Sequence, residues 1–353
     1  MLFLAGCGLV DSADSGDRAS ASPVADIDCA RQGKVPGSGS TAQENAMKYW
    51  IKQYERACPP VEIGYNPLGS GAGVRQFMQK FTAFGGTDSP VDPKENRPDE
   101  GVCPGGRVIN LPMVGGSIAI GYNLPGVDDL VLDATTIAKI FDSQIRTWDD
   151  PAIRKLNPGA ELPSLPIRAV HRQDNSGTTQ NFQAYLAGAA PEVWSYPAEK
   201  AWHGKGGESA PGSTAVAASV VSTAGSIGYF ELSFAAARHI KTARIDTGAS
   251  EPVAATEETS SAGIAAATVV GRGKDMTLKF DYRTSTDGTY PIVLVSYEIV
   301  CDRGNAAETL PALKSFLTYT ASDEGQKPLS RIHYAPLPES VAAEVRKVVS
   351  TLS

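Results

Sequence analysis

The chain of 353 residues is 42% hydrophobic and 20% charged, the balance of an ordinary folded protein, and its length suggests two domains. Its formal net charge of −7 argues against nucleic acid as a partner, so any anion it binds is captured by local groups and not by overall attraction. No apolar run is long enough to span a bilayer.

The chain begins Met1-Leu2-Phe3-Leu4-Ala5-Gly6-Cys7. Leu4 to Cys7 resembles a bacterial lipobox, whose cysteine is lipidated and becomes the mature N-terminus, so Cys7 is the expected lipidation site. The charged and apolar regions that normally precede a lipobox are missing, and the start is expected to be truncated or mis-assigned. Residues 8–28 are rich in Ser, Ala and Asp and read as a flexible tether. Cys29, Cys58, Cys103 and Cys301 remain, an even number in a chain that looks exported, which implies two disulfides with three possible pairings. Cys29–Cys58 with Cys103–Cys301 is the favoured set. The first would flank the bottoms of two successive parallel strands, and the second would staple segments distant in sequence. No two of these cysteines sit at CxxC spacing, so no metal site is expected.

Arg31–Pro36 reads as a strand and Gly37-Ser38-Gly39-Ser40-Thr41 as a tight turn. Ala46, Met47, Trp50, Ile51 and Tyr54 then form one face of a helix, with Thr41 and Glu44 spaced as a capping box. Pro59-Pro60 stops that helix. Val61–Tyr65 alternates as a strand and leads through Gly69-Ser70-Gly71-Ala72-Gly73 into a second helix, with Val74, Phe77, Met78 and Phe81 on one face. Phe84-Gly85-Gly86-Thr87-Asp88-Ser89-Pro90 follows. Its glycines allow close backbone approach, and Asp88 alone reads as a turn residue. Lys94–Pro104 reads as exposed loop, and Arg107–Tyr122 as buried strand with a bend at Gly115-Gly116.

Beyond Asn123, Leu130–Asp133 precedes a short helix over 134–141, and Ile153 and Leu156 continue helically until Asn157-Pro158-Gly159 breaks the chain. Leu165–Val170 has the look of a strand. Arg172-Gln173-Asp174-Asn175-Ser176-Gly177-Thr178-Thr179-Gln180 then opens a helical pattern carrying Phe182, Tyr185 and Leu186. Here, for the third time, a strand passes through a Ser/Thr/Gly turn into a helix. Such a turn presents unpaired N–H groups and hydroxyls at the positive end of a helix dipole, a ready anion site. Arg172 adds a planar fork of donors, and Asp174 is placed to hold it. An N-capping Ser or Thr explains any one copy. Three copies that a fold can aim at one point are harder to explain as caps.

Residues 203–213 read as a Gly-rich connector, 213–223 as a helix and Ile227–Phe230 as a strand, while 245–275 are weakly patterned and suggest no role. Tyr290–Val300 is an apolar, β-branched central strand, followed by helices at Leu310–Tyr319 and Val341–Leu352. Strand–helix alternation throughout means α/β with mostly parallel sheets.

Over nearly all of residues 33–349, in order, the chain resembles the phosphate-binding proteins of the bacterial phosphate-specific ABC importer. The resemblance is carried by Gly37–Thr41, Gly69–Gln76, Phe84–Pro90, Leu130–Asp133 and Thr147-Trp148-Asp149-Asp150. Lys155–Gly159, Arg172–Thr178, Ser226–Tyr229 and Tyr334–Pro338 add to it. Each segment is common, and the ordered set is specific. It implies a type 2 periplasmic-binding-protein fold, two α/β domains joined by a hinge of crossing strands, with the ligand in the cleft between them. Residues 1–28 would be signal remnant and tether, 29–122 and 290–353 the first domain, and 123–289 the inserted second.

The resemblance further implies that Thr41, Ser70, Asp88 and the Ala42 N–H line the first domain's side of a phosphate site. Arg172, Ser176, Gly177 and Thr178 would line the second's, with Asp174 orienting Arg172. Inorganic phosphate is then the ligand, ABC permease subunits are the partners, and the monomer sits lipid-anchored on the extracytoplasmic face of the membrane, without a cofactor or enzymatic activity. The chemistry is coherent with this. Phosphate near neutral pH keeps a proton that Asp88 can accept, whereas sulfate has none and would leave Asp88 beside a like charge. Two departures stand out: Ala42 replaces an aromatic residue frequent in the family, which would loosen the lid on that side, and Ala83 replaces an Asp.

Rival readings are a binding protein or sensor for a phosphate ester or another oxyanion, a surface adhesin on the same fold, and a hydrolase with a Ser or Thr nucleophile. Against the last, strand alternation turns His171 away from Arg172, and no GxSxG elbow is present. His171, His203, His239 and His333 read as core or surface residues.

Overall fold

Val108–Asn123 forms one buried strand of 16 residues that runs from one half of the molecule into the other. The computed structural model describes residues 27–91 and 101–353. Cys7, the tether up to residue 26 and most of the loop expected from Lys94 lie outside those residues. From Val108 to Ser117 the long strand pairs antiparallel with Val293–Cys301. From Ile118 to Asn123 it pairs antiparallel with Ser226–Glu231. The first half of the molecule orders its strands Val61–Asn66, Gly33–Gly39, Phe84–Thr87, Val293–Cys301, Val108–Asn123. The second continues with Ser226–Glu231, Arg168–Arg172 and Glu208–Ala210. In this main sheet the outer strands of each half are parallel, as expected of α/β units, and the antiparallel pairings involve the two crossing strands.

Each half has its own core. Trp50, Tyr54, Phe84, Phe316, Tyr334 and Val345 pack in the first lobe, and Phe141, Trp148, Phe182, Tyr185, Trp194 and Tyr229 in the second. Helix Glu44–Ala57 buries Ala46, Met47, Trp50 and Tyr54, the face its spacing predicts. The long strand is irregular ahead of the expected bend at Gly115-Gly116, which themselves stay in register. Its register against the return strand slips at Ser296/Tyr297, where Pro112 and Val114 are the partners and Met113 is the extra residue. Pro112 has no N–H for the ladder, so a bulge is the natural place for it. Gly115 beyond it exchanges backbone hydrogen bonds with Ala335, both 3.0 Å.

Several local expectations change. Thr41 and Glu44 form no capping box, because helix Glu44–Ala57 starts after Gln43 without a side-chain cap, and Glu44 pairs with Lys48. Phe81 lies beyond the end of helix Ser70–Met78 and is 70% exposed. The strand expected at Leu165–Val170 is Arg168–Arg172, shifted past Pro166. The connector at 203–213 contains strand Glu208–Ala210 and ends in helix Gly212–Ser222.

The weakly patterned stretch also has structure. Helix Glu257–Ala265 sits on the crossing strands, with Ser260 hydrogen-bonded to Ser117. Beyond it the chain reaches back to the first lobe, where Met276 enters the core and Asp275 accepts the Asn110 N–H (2.8 Å).

Both expected disulfides are present, Cys29–Cys58 and Cys103–Cys301. The first does lie just ahead of the parallel strands that begin at Gly33 and Val61. The second joins residues 198 apart in sequence. Chain-entropy arguments give a loop of that size about 5 kcal/mol of stabilisation. Replacing Cys103 and Cys301 together by Ser should therefore lower the unfolding free energy in guanidinium by about 2–5 kcal/mol; an unchanged midpoint and slope would contradict this.

Candidate functional site

Turns at strand ends in both lobes meet at the cleft. The first lobe brings Ser40-Thr41-Ala42 after strand Gly33–Gly39, Gly69-Ser70 at the start of helix Ser70–Met78, and Asp88 after strand Phe84–Thr87. The second brings Arg172 from the end of its strand and Gly177-Thr178 at the start of helix Gly177–Ala189. It also brings Gly212-Ser213 at the start of helix Gly212–Ser222, a fourth convergent helix N-terminus.

Asp88 is 2% exposed and is held by hydroxyls from both lobes. Ser40 and Ser296 donate to its Oδ1, the latter at 2.7 Å, and Thr178 donates to Oδ2 at 3.0 Å. Ser70 stands 3.5 Å from Oδ2, and its oxygen accepts the Asp88 N–H (3.3 Å) and the Gly177 N–H (3.0 Å). The Ser70 oxygen thus occupies the position an anion oxygen takes at a helix N-terminus. Asn181, one turn into that helix, donates to the Asp88 carbonyl at 2.7 Å.

Arg172, 2% exposed, is clamped by Asp174 through Nε (2.8 Å) and Nη2 and points Nη1 at the Ser213 hydroxyl (3.4 Å). Burial pulls the Asp174 carboxyl upward, but the hydrogen bonds and charge of Arg172 outweigh it and hold Asp174 below the usual range. Asp174 also accepts the Gly212 N–H at 2.9 Å. Asp174 thus holds the Arg172 guanidinium and the start of helix Gly212–Ser222 together.

Thr41 meets Ser213 across the cleft. Its oxygen accepts the Ser213 N–H (3.1 Å), and the two hydroxyls are 3.0 Å apart. This engagement replaces the capping box. The Ala42 N–H donates to the Ser40 hydroxyl at 3.0 Å. Ala42 is 0% exposed and its carbonyl accepts from Tyr334. Ser176 uses its hydroxyl to cap helix Gly177–Ala189, accepting the Thr179 N–H at 3.2 Å.

The expected side-chain set is brought together, with Ser176 turned to a cap. Ser40, Ser213, Ser296 and Asn181 were not anticipated. Gly212-Ser213-Thr214 repeats the Ser/Thr/Gly turn before a helix, and that signal would have found Ser213. Nothing in the sequence marks Ser296, a lone hydroxyl in an apolar strand.

The lobes are closed on one another. Gly71 N–H donates to the Asn175 carbonyl at 2.9 Å, and a Cβ on Gly69 would lie 2.2 Å from Asp174 Oδ2. His171 faces away from the cleft and stacks on Trp202 with ring centroids 5.0 Å apart. His203 pairs with Glu199, His333 with Glu257, and His239 ends a helix, so no histidine stands beside a cleft hydroxyl.

Comparison with known proteins decides the family. Residues 24–324 match a model described as a PBP superfamily domain. The phosphate-binding protein PstS 3 of Mycobacterium leprae is 42% identical over 355 residues, covering 99% of this chain and 95% of its own. The chain belongs to the PstS family of phosphate-binding proteins. PstS 2 of Mycobacterium tuberculosis is 40% identical over 357 residues, 100% of this chain and 95% of its own. The solved phosphate-binding protein of Stenotrophomonas maltophilia, 19% identical, superposes with a TM-score of 0.68 over 90% of this chain and 94% of its own, showing the same two-domain fold. These relatives are named as phosphate-binding proteins, in keeping with the position of the histidines.

Gly177 controls how closely the lobes approach. A Cβ there would lie 2.8 Å from Asp88 Cβ, from Asp88 N and from Ser70 Oγ. Gly177→Ala should keep its circular dichroism but show a larger radius of gyration than the wild type in small-angle scattering; equal radii would contradict this role.

Proposed function

We propose that the chain captures inorganic phosphate in this cleft and delivers it to an ABC import permease. In this reading it is held by a lipid on Cys7 at the extracytoplasmic face of the membrane and acts as a monomer, without cofactor or nucleic acid. The lobes are taken as 29–122 with 290–353, and 123–289, with the segment around Met276 returning to the first lobe. The observation that carries the reading is the donor set. Hydroxyls of Thr41, Ser70 and Thr178, N–H groups of Ala42 and Gly177, the Ser176 turn and one guanidinium converge beside one acceptor, Asp88.

Arg172 is already paired with Asp174, and no second cation stands beside Asp88 among the described residues, so a fully deprotonated oxyanion meets net repulsion. A ligand that brings its own proton converts the contact with Asp88 from repulsion to a charge-assisted hydrogen bond. The Arg172 fork, pre-set by Asp174, takes oxygens of the ligand without reorganising. The hydroxyls that now donate to Asp88 can turn to the ligand, since a hydroxyl rotates to suit its acceptor. Affinity for the closed form, which alone completes the shell, is what shifts the lobes toward closure. The buried Ala42 side argues against an ester, whose substituent would need room there.

Calorimetric titration of phosphate-stripped protein should give one-to-one phosphate binding and no sulfate binding. Asp88→Asn should admit sulfate, and Arg172→Ala should weaken phosphate binding by about 2–5 kcal/mol. Folded, stripped protein that binds no phosphate would refute the reading. For the anchor, Cys7→Ser should move the protein from the membrane fraction to the medium; retention in the membrane would refute that part.

A further inference from the structure

Strand Val293–Cys301 alternates, so Ser296 and Glu298 project from the same face. Ser296 donates to Asp88, and Glu298 stands one step along, opposite Gly86 of the paired strand. Glu298 is 1% exposed, and neither carboxyl oxygen has a hydrogen-bond partner among the described residues. The Gln43 amide lies beside the carboxyl but directs its N–H to the Tyr65 phenol (3.0 Å), which donates to the Ser40 carbonyl (2.8 Å). A Cβ on Gly86 would strike both the Gln43 amide and the Tyr65 hydroxyl, so a glycine is what lets them close over this point. Gln43 Oε1 is also buried without a partner.

The titratable groups facing Glu298 are Asp88 and Tyr65; Glu44 faces Tyr65, and Glu231, itself buried, faces Asp88. None is a cation. Burial pushes the Glu298 carboxyl up from an ordinary 4.5 to about 8, with the Asp88 charge adding to the shift and Gln43 opposing it. A proton on Glu298 removes the unpartnered buried charge and offers a donor toward Gln43.

We propose that Glu298 is a positioning residue that serves the anion site only as a neutral acid, keeping the layer beneath Asp88 and Ser40 uncharged, so that losing its proton weakens anion capture. This rests on the phosphate reading above. An anion in the cleft adds negative charge near Glu298 and tightens its hold on the proton. By linkage, phosphate affinity then falls as the pH rises past the point where the free protein lets that proton go. No bond to the ligand is involved; the proton stays on Glu298.

The test is Glu298→Gln, a neutral group of the same shape, with phosphate dissociation constants measured at pH 6.5 and pH 9. The ionisation of free phosphate is common to both measurements, so the ratio between the two proteins isolates Glu298. The two should agree within about twofold at pH 6.5, and the wild type should bind about tenfold more weakly than the variant at pH 9. Binding with parallel profiles would overturn this proposal alone, whereas no phosphate binding by either protein at pH 6.5 would overturn the phosphate reading.

Thermal unfolding without phosphate supplies an independent arm. Between about pH 4.5 and 8 the folded wild type keeps a proton that its unfolded chain releases, so the wild type loses stability as pH rises through that window. The variant escapes this loss. Its Tm advantage should grow from pH 5 to pH 8 and then level off, and a flat difference would overturn the neutral acid.

Discussion

A carboxylate buried between two lobes is the constraint on which this structure turns. Asp88 is nearly inaccessible, yet its side chain takes hydrogen bonds from Ser40 and Ser296 in one lobe and Thr178 in the other. Leaving such a group unpaired is among the costliest things a fold can do. The lobes must therefore meet in one register, with Thr178 arriving within hydrogen-bond reach of an oxygen fixed by the opposite sheet. Glycines make the approach possible: side chains at Gly69, Gly71 and Gly177 would collide with Asp174, Asn175 and Asp88 respectively.

The crossing strands supply that register. One strand runs through both lobes, pairing with Val293–Cys301 in the first and Ser226–Glu231 in the second. The bulge at Met113 lies beside Ser296, whose backbone stays paired with Val114 while its side chain reaches Asp88. A second link runs over the top. Past Met276, anchored in the first lobe, Tyr282 donates to Asn181 at 2.7 Å, and Asn181 donates to the Asp88 carbonyl. Hinge, strap and site thus share residues, and a change in one is felt in the others.

Much of this was legible in the sequence because the local signals and the global fold agree. The Ser/Thr/Gly turns at Gly37–Thr41, Gly69–Gly73 and Arg172–Thr178 announced convergent helix N-termini, and the cysteine positions announced the disulfides. The misses have physical causes. Thr41 has capping-box spacing but finds a stronger contact across the cleft, which no local rule sees. Phe81 continues a helical period by one step after the helix has ended. Ser213 was hidden by a Gly-rich approach that looked like linker. Ser296 and Glu298 were hidden by their neighbours, since Val-Leu-Val-Ser-Tyr-Glu-Ile-Val reads as a core strand whatever its polar members touch. The stretch 245–275 fails for another reason: its helix buries only Ser260 and Ile264, so it carries almost no periodic signal.

The chemistry of the donors bears on how such a site can both hold and release a ligand. A cleft built from several lysines would be strongly repulsive within itself until an anion arrived, and would yield the anion reluctantly. Here the only charge pair at the centre among the described residues, Arg172 with Asp174, is already neutralised inside the second lobe. The other donors are hydroxyls and backbone N–H groups. Hydroxyls can serve Asp88 or a ligand oxygen by rotation, so both arrangements leave buried polar atoms paired. The closed form then differs little in hydrogen bonding between the two arrangements. On the two proposals above, what discriminates is charge: a proton shared with Asp88 from above, and an uncharged layer beneath it.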